Sequence, residues 1–375
     1  MKSIVFFEQY GSLGGGQQVL VELIRAATHC GYAATALIPP GTCARQCATA
    51  GATVGAIPPL LLRMGKKGVW DVLKLGAYAC AVLLKHWPAL RRADMLYVNG
   101  ERLLPAALLA SLLFRKQAIY HIHLDHAGFE RLLFLLALQC RLTRFIAVPS
   151  RFIAQRLRRY SGRFEDPRVV TLENGLDARF AAISYTDVFS RRPLRHVGCI
   201  SRVSPEKGQD ALLPLARAFP EMTFHVFGDA GFADGAYYAG LRQTAPSNVR
   251  FHGWVENIPA QAKEFGLQIC LAPSRCSEAA PLVPLQMVAL SCLMIVRRVG
   301  AQTDIADELG LRTFDDDEDL PGIFRRLLTA RPEMLADETR SSYERAMALY
   351  GHEVYKERLR AFFRRMWDNP EPGHA

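Results

Sequence analysis

The chain has 375 residues, of which 50% are apolar and 22% charged, with Gly (28) and Pro (21) at ordinary frequencies. These values exclude collagen-like, low-complexity and intrinsically disordered proteins, and the length is typical of two domains. The unusual quantity is the net charge of +10, because residues 1–180 hold 23 Lys and Arg against 11 Asp and Glu, whereas the remainder holds 23 against 25. Such asymmetry indicates that the first half contacts something anionic, with simple solubility as the alternative.

The nine cysteines are scattered and odd in number, which predicts reduced thiols in the cytosol rather than a disulfide framework. Cys43 and Cys47 lie four residues apart, but no second pair completes a metal site. Glu8 interrupts the apolar N-terminus, so we expect no signal peptide. The longest uncharged apolar stretch, 279–296, contains two prolines and a glutamine and predicts no transmembrane span.

The first half alternates strands and helices. It opens with a short apolar strand, Ile4–Phe7, then a Gly-rich turn, a helix over Gln17–His29 and a strand over Ala34–Ile38. This order predicts a βαβ unit that begins a parallel sheet. Further strands are predicted at Met95–Val98, Ala118–His123, Phe145–Val148 and Val169–Leu172.

The second half repeats this alternation after the polar stretch 184–195. Its predicted strands are Val197–Ile200, Thr223–Phe227, Val249–His252, Gln268–Ala272 and Met294–Val296, and its predicted helices include Gln209–Phe219 and Leu282–Leu290. A charged amphipathic helix, His352–Trp367, closes the chain. Two doubly wound α/β halves are therefore expected, with a boundary near 180–195.

The Gly-rich turn places Gly14, Gly15 and Gly16 between a strand and a helix. Glycines there leave amide groups at a helix N-terminus, where the dipole favours an anion. The pattern is not G-x-G-x-x-G and no acidic residue follows the second strand, which disfavours binding of a nicotinamide dinucleotide.

The loop after the strand Val197–Ile200 carries Arg202 and Lys207 on either side of a short turn. Two fixed cations beside a helix start suit a diphosphate. A second loop, after Ala272, contains Glu278, and the helix that Pro281 starts contains Gln286. This loop offers a carboxylate and an amide side chain to sugar hydroxyls, and helix-start amides to a phosphate.

In this order and spacing, the pieces resemble a retaining family 4 glycosyltransferase of the GT-B fold, of the kind that builds bacterial polysaccharides and lipid-linked glycans of the cell envelope. The likeness covers nearly the whole chain. The matching pieces are the Gly-Gly loop at Gly14 to Gln17, the active-site His at His123, V-x-S at Val148 to Ser150, N-G-V-D at Asn174 to Asp177, R-x-x-x-x-K-G at Arg202 to Gly208, the nucleotide-side turns Gly228-Asp229 and Phe251 to Gly253, and the E-x₇-E segment that begins at Glu278 after Pro273-Ser274.

The resemblance implies two Rossmann-like doubly wound domains that face a central cleft. Residues 1–185 would bind the acceptor, 186–350 would bind the nucleotide-sugar, and the helix in 351–375 would cross back toward the N-terminal domain. It also implies a cytoplasmic hexosyltransferase with a nucleotide-diphosphate sugar as its donor.

The resemblance further implies roles for individual residues. The catalytic group would be His123, Arg202, Lys207 and Glu278. Donor contacts would come from Gly15, Gly16, Gly228, Trp254, Val255, Ser274, Leu282, Val283 and Gln286. The two cations and the helix start would stabilise charge on the leaving diphosphate without a cofactor or a metal, since no Asp-x-Asp motif stands in a suitable place.

Two points depart from the family pattern or leave a choice open. Gln286 replaces the second Glu of E-x₇-E, which in the family is taken to hold the ribose hydroxyls. His121 and His126 compete with His123, and strand alternation puts His121 and His123 on the same side of the sheet. Two other functions also fit this fold: a nucleotide-sugar 2-epimerase, and a non-catalytic donor-binding partner subunit.

The excess positive charge of the first half is concentrated around an apolar stretch. Arg63, Lys66, Lys67, Lys74, Lys85, Arg91 and Arg92 surround Trp70, Tyr78, Trp87 and the apolar residues of 69–84, and Arg151, Arg156, Arg158 and Arg159 add to them. Cations and tryptophans beside apolar residues suit an anionic membrane surface. We therefore expect a peripheral enzyme on the inner face of the cytoplasmic membrane with a lipid-linked or glycan acceptor. Nucleic acid is not expected, because no RNA-binding signature or aromatic platform is present.

Overall fold

A computed structural model describes residues 1–60, 69–123, 128–162, 166–190, 193–231 and 235–368. The chain folds into two compact units. The first unit comprises Met1–Asn174 and the chain from Lys356 onward, and the second comprises Gly175–Tyr355. The domain boundaries expected from the sequence were after residues 185 and 350, whereas the two units divide after residues 174 and 355.

The first unit contains a seven-stranded parallel sheet in the order β3-β2-β1-β4-β5-β6-β7. The strands are β1 Ser3–Phe7, β2 Ala33–Ile38, β3 Thr53–Ala56, β4 Met95–Val98, β5 Gln117–His121, β6 Thr143–Val148 and β7 Val169–Thr171. The helices are α1 Gly15–His29, α2 Thr42–Thr49, α3 Val69–Lys85, α4 Trp87–Arg92, α5 Leu104–Phe114, α6 Gly128–Gln139 and α7 Arg151–Ser161.

The second unit contains a six-stranded parallel sheet in the order β10-β9-β8-β11-β12-β13. The strands are β8 His196–Ile200, β9 Thr223–Phe227, β10 Val249–Gly253, β11 Ile269–Ala272, β12 Leu293–Arg297 and β13 Arg312–Phe314. The helices are α8 Leu212–Ala218, α9 Gly235–Thr244, α10 Ile258–Phe265, α11 Leu282–Ala289, α12 Ala301–Leu309, α13 Leu320–Thr329 and α14 Pro332–Tyr350, followed by α15 His352–Asp368.

Two parallel, doubly wound sheets with Rossmann-like strand order confirm the expected fold class. The central strands read as continuous apolar runs because helices cover both faces of a parallel sheet. In β1 and β4, for example, every residue from Ile4 to Phe7 and from Met95 to Val98 is buried. Each sheet reverses its strand order once, between β1 and β4 and between β8 and β11, and ligands of such sheets bind at the carboxyl ends beside this reversal.

Three local predictions were wrong or incomplete. The strand predicted to reach His123 ends at His121. The helix predicted over Gln209–Phe219 is a short 3₁₀ turn, Gln209–Ala211, followed by α8. The strands β3 and β13 were missed, because both are short and contain no continuous run of buried apolar residues.

The last helix, α15, packs on the first unit through its C-terminal part. Phe362 lies against Tyr97 and Phe145, and Trp367 lies against Tyr32. None of the helices within the described ranges combines the length and the apolarity needed to cross a bilayer. All nine cysteines lie within these ranges and are free thiols.

Candidate active site

The loop after β8 carries Arg202 and is held against the end of β9 by a glycine. Gly228 has φ +136, and a Cβ there would lie 1.9 Å from the carbonyl oxygen of Ser201. Only glycine allows this approach. The Val203 amide then donates to the carbonyl oxygen of Asp229 at 2.7 Å, so the loop and the strand end form one rigid turn.

Lys207 and Glu278 meet at the carboxyl ends of the neighbouring strands β8 and β11. Lys207 ends a 3₁₀ turn, and Gly208 follows at φ +69, where a Cβ would lie 2.4 Å from the carbonyl oxygen of Pro273. This close packing brings the Lys207 ammonium to Glu278 Oε1, with which it forms an ion pair. The Ser274 hydroxyl donates to the same oxygen at 2.7 Å. Both charged side chains are largely buried, at 19% and 17% exposure.

Arg202 lies in the same loop and remains closer to solvent. Its guanidinium donates to Glu206 Oε1 at 2.5 Å. Burial would raise the pKa of Glu206, but hydrogen bonds from its own amide and from Ser204, with the charges of Arg202 and Lys207, hold that pKa below its ordinary value. Glu206 is therefore an ionised carboxylate beside the cationic side chains of Arg202 and Lys207, and a diphosphate is another oxyanion that such side chains bind.

The start of α11 follows Glu278 and provides backbone donors. Pro281 precedes the helix in an extended conformation (φ −68, ψ 127) and supplies no side-chain cap. The first helical residues, Leu282 and Val283, are half-buried. Their amides lie in the first turn, where no intrahelical acceptor exists, so this terminus suits an anion. Gln286 is buried on the same helix, and its side-chain amide makes no hydrogen bond within the described part of the chain.

Trp254 and Val255 follow a tight contact between the ends of β9 and β10. The Gly228 amide donates to the carbonyl oxygen of Gly253 at 2.7 Å, and Gly253 itself has φ +70. This contact places Trp254 one residue beyond the turn, with 57% of its surface exposed, while Val255 packs on the apolar core of the second unit. Gly228, Trp254 and Val255 thus all lie just beyond the carboxyl ends of β9 and β10, with Trp254 as the exposed apolar side chain.

Sequence reasoning missed two supports of this site. Gly300 has φ +57, and a Cβ there would lie 2.7 Å from both the amide nitrogen and the carbonyl oxygen of Glu278. The neighbouring Ala301 amide donates to that carbonyl at 2.9 Å. The segment after β12 therefore fixes the backbone of Glu278. A glycine between a predicted strand and a helix was the available signal.

The second missed support is Arg275, which lies three residues before Glu278. Its guanidinium donates to Asp210 at 2.8 and 2.9 Å and to Asp317 at 2.7 Å. Burial would raise the pKa of Asp210, but the hydrogen bonds from Arg275 and Tyr237 outweigh burial and lower it. This ionic network ties the Glu278 loop to two other segments of the second unit.

In the first unit, His123 lies beside the Gly-rich start of α1. A Cβ at Gly16 would lie 3.3 Å from Cγ of the His123 ring, so Gly16 lets the helix start approach the ring closely. Gly15 is the first residue of α1 and is exposed. His123 Nε2 lies 2.7 Å from Oδ1 of Asn99, which follows β4. The structure thus brings His123 and Gly16 close together.

His121 is the buried member of the histidine pair. The two rings lie side by side, with centroids 4.1 Å apart, and His121 Nδ1 is 2.8 Å from the Tyr97 hydroxyl. Burial, together with the nearby His123, holds the pKa of His121 well below its ordinary value. His121 is therefore a neutral core histidine, whereas His123 is half-buried. The third candidate, His126, lies outside the described residues.

Sequence reasoning also missed the polar residues behind His123. Glu8, directly after β1, accepts a hydrogen bond from Asn99 Nδ2 at 2.6 Å. Both residues are buried. The only sequence signal was a polar residue immediately after a buried strand at each position. Among the described residues, no three His, Cys, Asp or Glu side chains are grouped as a metal ion would require.

Two protein-family models match the two halves of the chain. Residues 13–180 match the family model of Glycosyltransferase Family 4, and residues 195–330 match that of Glycosyl transferases group 1. No curated protein sequence matches the chain significantly.

Solved structures resemble the chain over nearly its whole length. HepE of Anabaena, crystallised with UDP-glucose, has a TM-score of 0.80 at 18% identity and covers 97% of this chain and 100% of its own. Sucrose-phosphate synthase of Thermosynechococcus elongatus has a TM-score of 0.77 at 16% identity, covering 98% and 99%. The lipopolysaccharide outer core galactosyltransferase WaaB has a TM-score of 0.67 at 15% identity, covering 97% and 100%. At these identities the structural likeness establishes the GT-B fold. With that fold and both family models, the chain is a glycosyltransferase of the family 4 type.

Proposed function

We propose that the enzyme transfers a hexose from a nucleotide-diphosphate sugar to a lipid-linked or glycan acceptor of the cell envelope, with retention of configuration and without a metal. The observation that carries the proposal is the contact of Glu278 with both Lys207 and Ser274, in the neighbourhood of the Arg202 loop. It joins a phosphate-binding charge to a carboxylate that can hold sugar hydroxyls. HepE, which has the same fold, was crystallised with UDP-glucose.

The donor-binding roles follow from the chemistry of each group. Arg202, Lys207 and the amides of Leu282 and Val283 would stabilise the charge that develops on the leaving diphosphate. Glu278, oriented by Ser274, would accept hydrogen bonds from the sugar hydroxyls. A donor phosphate near Lys207 would compete with Glu278 for the ammonium and release the carboxylate toward the sugar.

The nucleoside would use the remaining residues of the second unit. Trp254 and Val255 would offer apolar side chains to the base, beside the turn in which the Gly228 amide donates to Gly253. Gln286 offers an amide oxygen to the ribose hydroxyls, in place of the carboxylate usual in the family. His123, with Gly15 and Gly16 of the first unit, would act on the sugar being transferred, in the role that the family assigns to its active-site histidine.

A membrane-facing acceptor is supported by an apolar stripe on α3. Trp70 (77% exposed), Leu73, Ala77, Cys80 and Leu84 (70% exposed) recur at intervals of three and four residues, which places them on one helix face. The neighbouring helices α5 and α6 add exposed leucines at the same spacing, namely Leu109, Leu112, Leu113, Leu132 and Leu136. Several large exposed apolar side chains on neighbouring helices are typical of an interaction surface.

Cations flank this apolar surface, as an anionic membrane requires. Lys74, Lys85, Arg91 and Arg92 are exposed on α3 and α4. Apolar side chains that insert at the headgroup level and cations that pair with anionic lipids act together in peripheral proteins. Arg63, Lys66 and Lys67 of the predicted surface lie outside the described residues. We place the enzyme on the inner face of the cytoplasmic membrane.

The donor proposal is tested by thermal-shift screening against a panel of nucleotide-sugars, because a true donor stabilises the fold by mass action. The donor that raises the melting temperature is then used for transfer to extracted lipid-linked acceptors, with and without EDTA. Formation of a product with the donor's anomeric configuration, insensitive to EDTA, supports the proposal. Epimerised nucleotide-sugar formed without acceptor would overturn it.

The membrane proposal is tested by sedimentation with vesicles of anionic phospholipid at low salt. We expect the wild type to co-sediment and the double variant W70S/L73S to remain in the supernatant. The matched control is Met334→Ser, which removes an exposed apolar side chain of the second unit. Equal sedimentation of wild type and W70S/L73S, or no sedimentation of either, would contradict a membrane role for α3.

A further inference from the structure

A buried carboxylate lies behind His123 and plays no part in the function proposed so far. Glu8 is 1% exposed and accepts hydrogen bonds from three donors: the Tyr10 amide at 2.8 Å, Gln17 Nε2 at 3.1 Å and Asn99 Nδ2 at 2.6 Å. A buried carboxylate is costly unless it is paired or hydrogen-bonded, so these donors are what keeps Glu8 in place. We infer that Glu8 and Asn99 are positioning residues that fix the ring orientation and the proton position of His123.

The inference follows from the donors and acceptors around Asn99. Its Nδ2 donates to Glu8 Oε2 and, at 3.2 Å, to the carbonyl oxygen of Gly16. Glu8 Oε2 and the Gly16 carbonyl oxygen can only accept hydrogen bonds. If the Asn99 amide were turned round, Asn99 Oδ1 would face both of these oxygens and neither hydrogen bond could form. Asn99 Oδ1 must therefore face His123 Nε2, at 2.7 Å. An amide oxygen only accepts, and consequently Nε2 of His123 carries the proton.

This proton position decides what His123 offers to a reacting group. With the proton on Nε2, the neutral ring has its lone pair on Nδ1, and Nδ1 is then the nitrogen that can accept a proton or a hydrogen bond. The other tautomer would reverse these roles. Holding one tautomer through a hydrogen-bonded partner is how enzymes prepare a histidine for acid–base work or for orienting a substrate.

Glu8 determines the direction of the whole chain of hydrogen bonds. Gln17 Oε1 accepts from the Gly14 amide at 3.1 Å, which turns Gln17 Nε2 toward Glu8. The carboxylate thus receives donors from the Gly-rich turn on one side and from Asn99 on the other. Burial raises the pKa of Glu8 to about 7, opposed by its hydrogen bonds with Asn99, Tyr10 and Gln17. Above that pH, Glu8 is mainly the ionised carboxylate, which can only accept hydrogen bonds.

The topology of the sheet makes this arrangement possible. Glu8, Asn99 and His123 follow β1, β4 and β5, which are neighbours in the sheet order. All three therefore project from the same carboxyl edge, beside the point where the strand order reverses. We call the hydrogen-bonded series Glu8–Asn99–His123 the relay. Its importance rests on the proposed role of His123 in sugar transfer, but the tautomer of the His123 ring can be measured without any substrate.

The decisive variant is Glu8→Gln, which keeps the shape of the side chain and converts one oxygen into a donor. The remaining oxygen of the glutamine side chain must face the Tyr10 amide and Gln17 Nε2, which both donate to this position. With the glutamine amide turned round, its nitrogen would face these two donors. The new amide nitrogen then faces Asn99. The Asn99 amide turns to relieve the two opposed donors at this close contact (2.6 Å in the wild type), although its oxygen then faces the Gly16 carbonyl at the longer distance of 3.2 Å. Asn99 Nδ2 would then face His123 Nε2, which becomes the acceptor, and the proton moves to Nδ1.

The experiment is ¹⁵N NMR of the full chain with labelled histidines at pH 8, with the His123 signals assigned by their loss in His123→Asn. We expect the Nε2-protonated tautomer in the wild type and the Nδ1-protonated tautomer in Glu8→Gln. In the double variant E8Q/N99D, a carboxylate stands between the amide introduced at position 8 and His123. This carboxylate accepts hydrogen bonds from that amide and from His123 Nε2, so the Nε2-protonated form should be restored. The matched control is Glu22→Gln, another buried carboxylate of the first unit, bound to Arg25 instead.

An unchanged His123 tautomer in a folded Glu8→Gln protein would overturn the inference, as would a double variant identical to Glu8→Gln. If the wild type also transfers sugar, Glu8→Gln should lower kcat about 100-fold with the donor KM within about twofold, and E8Q/N99D should recover part of the loss. A wild type with the expected tautomer but no transferase activity would overturn the proposed function and leave the relay intact.

Discussion

Lys207 and Glu278, 71 residues apart in the chain, form an ion pair at the carboxyl ends of β8 and β11. Ser274 shares the same carboxylate oxygen. This pair is the centre of the proposed donor site, because it fixes a cation for the diphosphate and a carboxylate for the sugar at one point of the sheet edge.

Replacing either member of the pair should stop the reaction without unfolding the protein. Lys207→Ala removes charge stabilisation of the leaving diphosphate, and Glu278→Ala removes an acceptor for the sugar, so each should lower kcat/KM at least about 100-fold in a radiolabelled transfer assay. Arg298→Ala is the matched control, since Arg298 pairs with Asp307 on the exposed surface of the same unit. Full activity in both Lys207→Ala and Glu278→Ala would show that the donor site lies elsewhere.

Gln286→Glu should keep or raise the affinity for the nucleotide-sugar. The Gln286 side chain makes no hydrogen bond within the described residues, so the change breaks none there, and a carboxylate offers two oxygens to ribose hydroxyls. Isothermal calorimetry measures the affinity, with Gln286→Leu as the comparison that abolishes hydrogen bonding and should weaken binding about tenfold. A large loss of affinity in Gln286→Glu would mean that the amide donates a specific hydrogen bond to the donor.

Gly300→Ala should displace Glu278 and weaken donor binding. The added Cβ would lie 2.7 Å from backbone atoms of Glu278, and φ +57 is strained for alanine, so we expect a loss of about 1–2 kcal/mol in unfolding free energy as well. Urea unfolding and donor calorimetry measure the two effects. Gly240→Ala is the matched control: Gly240 lies in α9 with no atom within 4 Å, and alanine there should stabilise by about 0.5–1 kcal/mol. Normal donor affinity in Gly300→Ala would contradict the supporting role of Gly300.

Stability of the first unit should fall as the pH rises, because of Glu8. Burial raises the pKa of Glu8 from its ordinary value of 4.5 to about 7, so between these values the unfolded chain releases a proton that the folded chain retains. Unfolding is therefore favoured as pH rises, by up to about 3 kcal/mol. Urea titrations at pH 5, 6, 7 and 8 should show this loss in the wild type and not in Glu8→Gln. Parallel curves for the two proteins would refute it.

The second unit should show the opposite dependence, because of a row of histidines across three strands. His225 Nε2 lies 3.1 Å from His196 Nδ1, and His225 Nδ1 lies 3.0 Å from His252 Nε2. Burial first, then the like charges of His252, His196 and Arg250, lower the pKa of His225 to about 3. As the pH falls from 6.5 toward 3, His225 becomes protonated in the unfolded chain but stays neutral in the folded chain. The free energy of unfolding therefore decreases as the pH falls.

The acid effect is measured by urea unfolding at pH 7, 6 and 5. His225→Asn should unfold with a shallower pH dependence than the wild type below about pH 6.5, and the same substitution at the exposed His29 of α1 serves as the matched control. Identical pH slopes for the wild type and His225→Asn would rule out His225 as the source.

Much of the fold was predictable, because its strands are buried on both faces and therefore appear as short apolar runs that glycines and prolines interrupt. The loop residues Arg202, Lys207 and Glu278 were predictable for a related reason, since polar residues at the carboxyl ends of such strands are where α/β proteins bind ligands. The strands β3 and β13 were not predicted, because they are only four and three residues long and mostly exposed or half-buried, so they leave no apolar run in the sequence. The end of β5 at His121 was also not predicted, because an apolar run in the sequence does not show at which residue the backbone hydrogen bonds between neighbouring strands end.

By itself, the sequence determined most of the central strands of both sheets, the division of the chain into two α/β halves, and which charged residues follow predicted strands. Tertiary structure alone decided which strand ends are neighbours. The order β1-β4-β5 brings Glu8 to Asn99 and His123, and the order β8-β11 brings Lys207 to Glu278. It also decided which of two adjacent histidines is buried and neutral. The reason is physical: local propensity and apolar periodicity depend on nearby residues, whereas hydrogen-bond direction, ion pairing and burial depend on atoms that only the completed sheet places side by side.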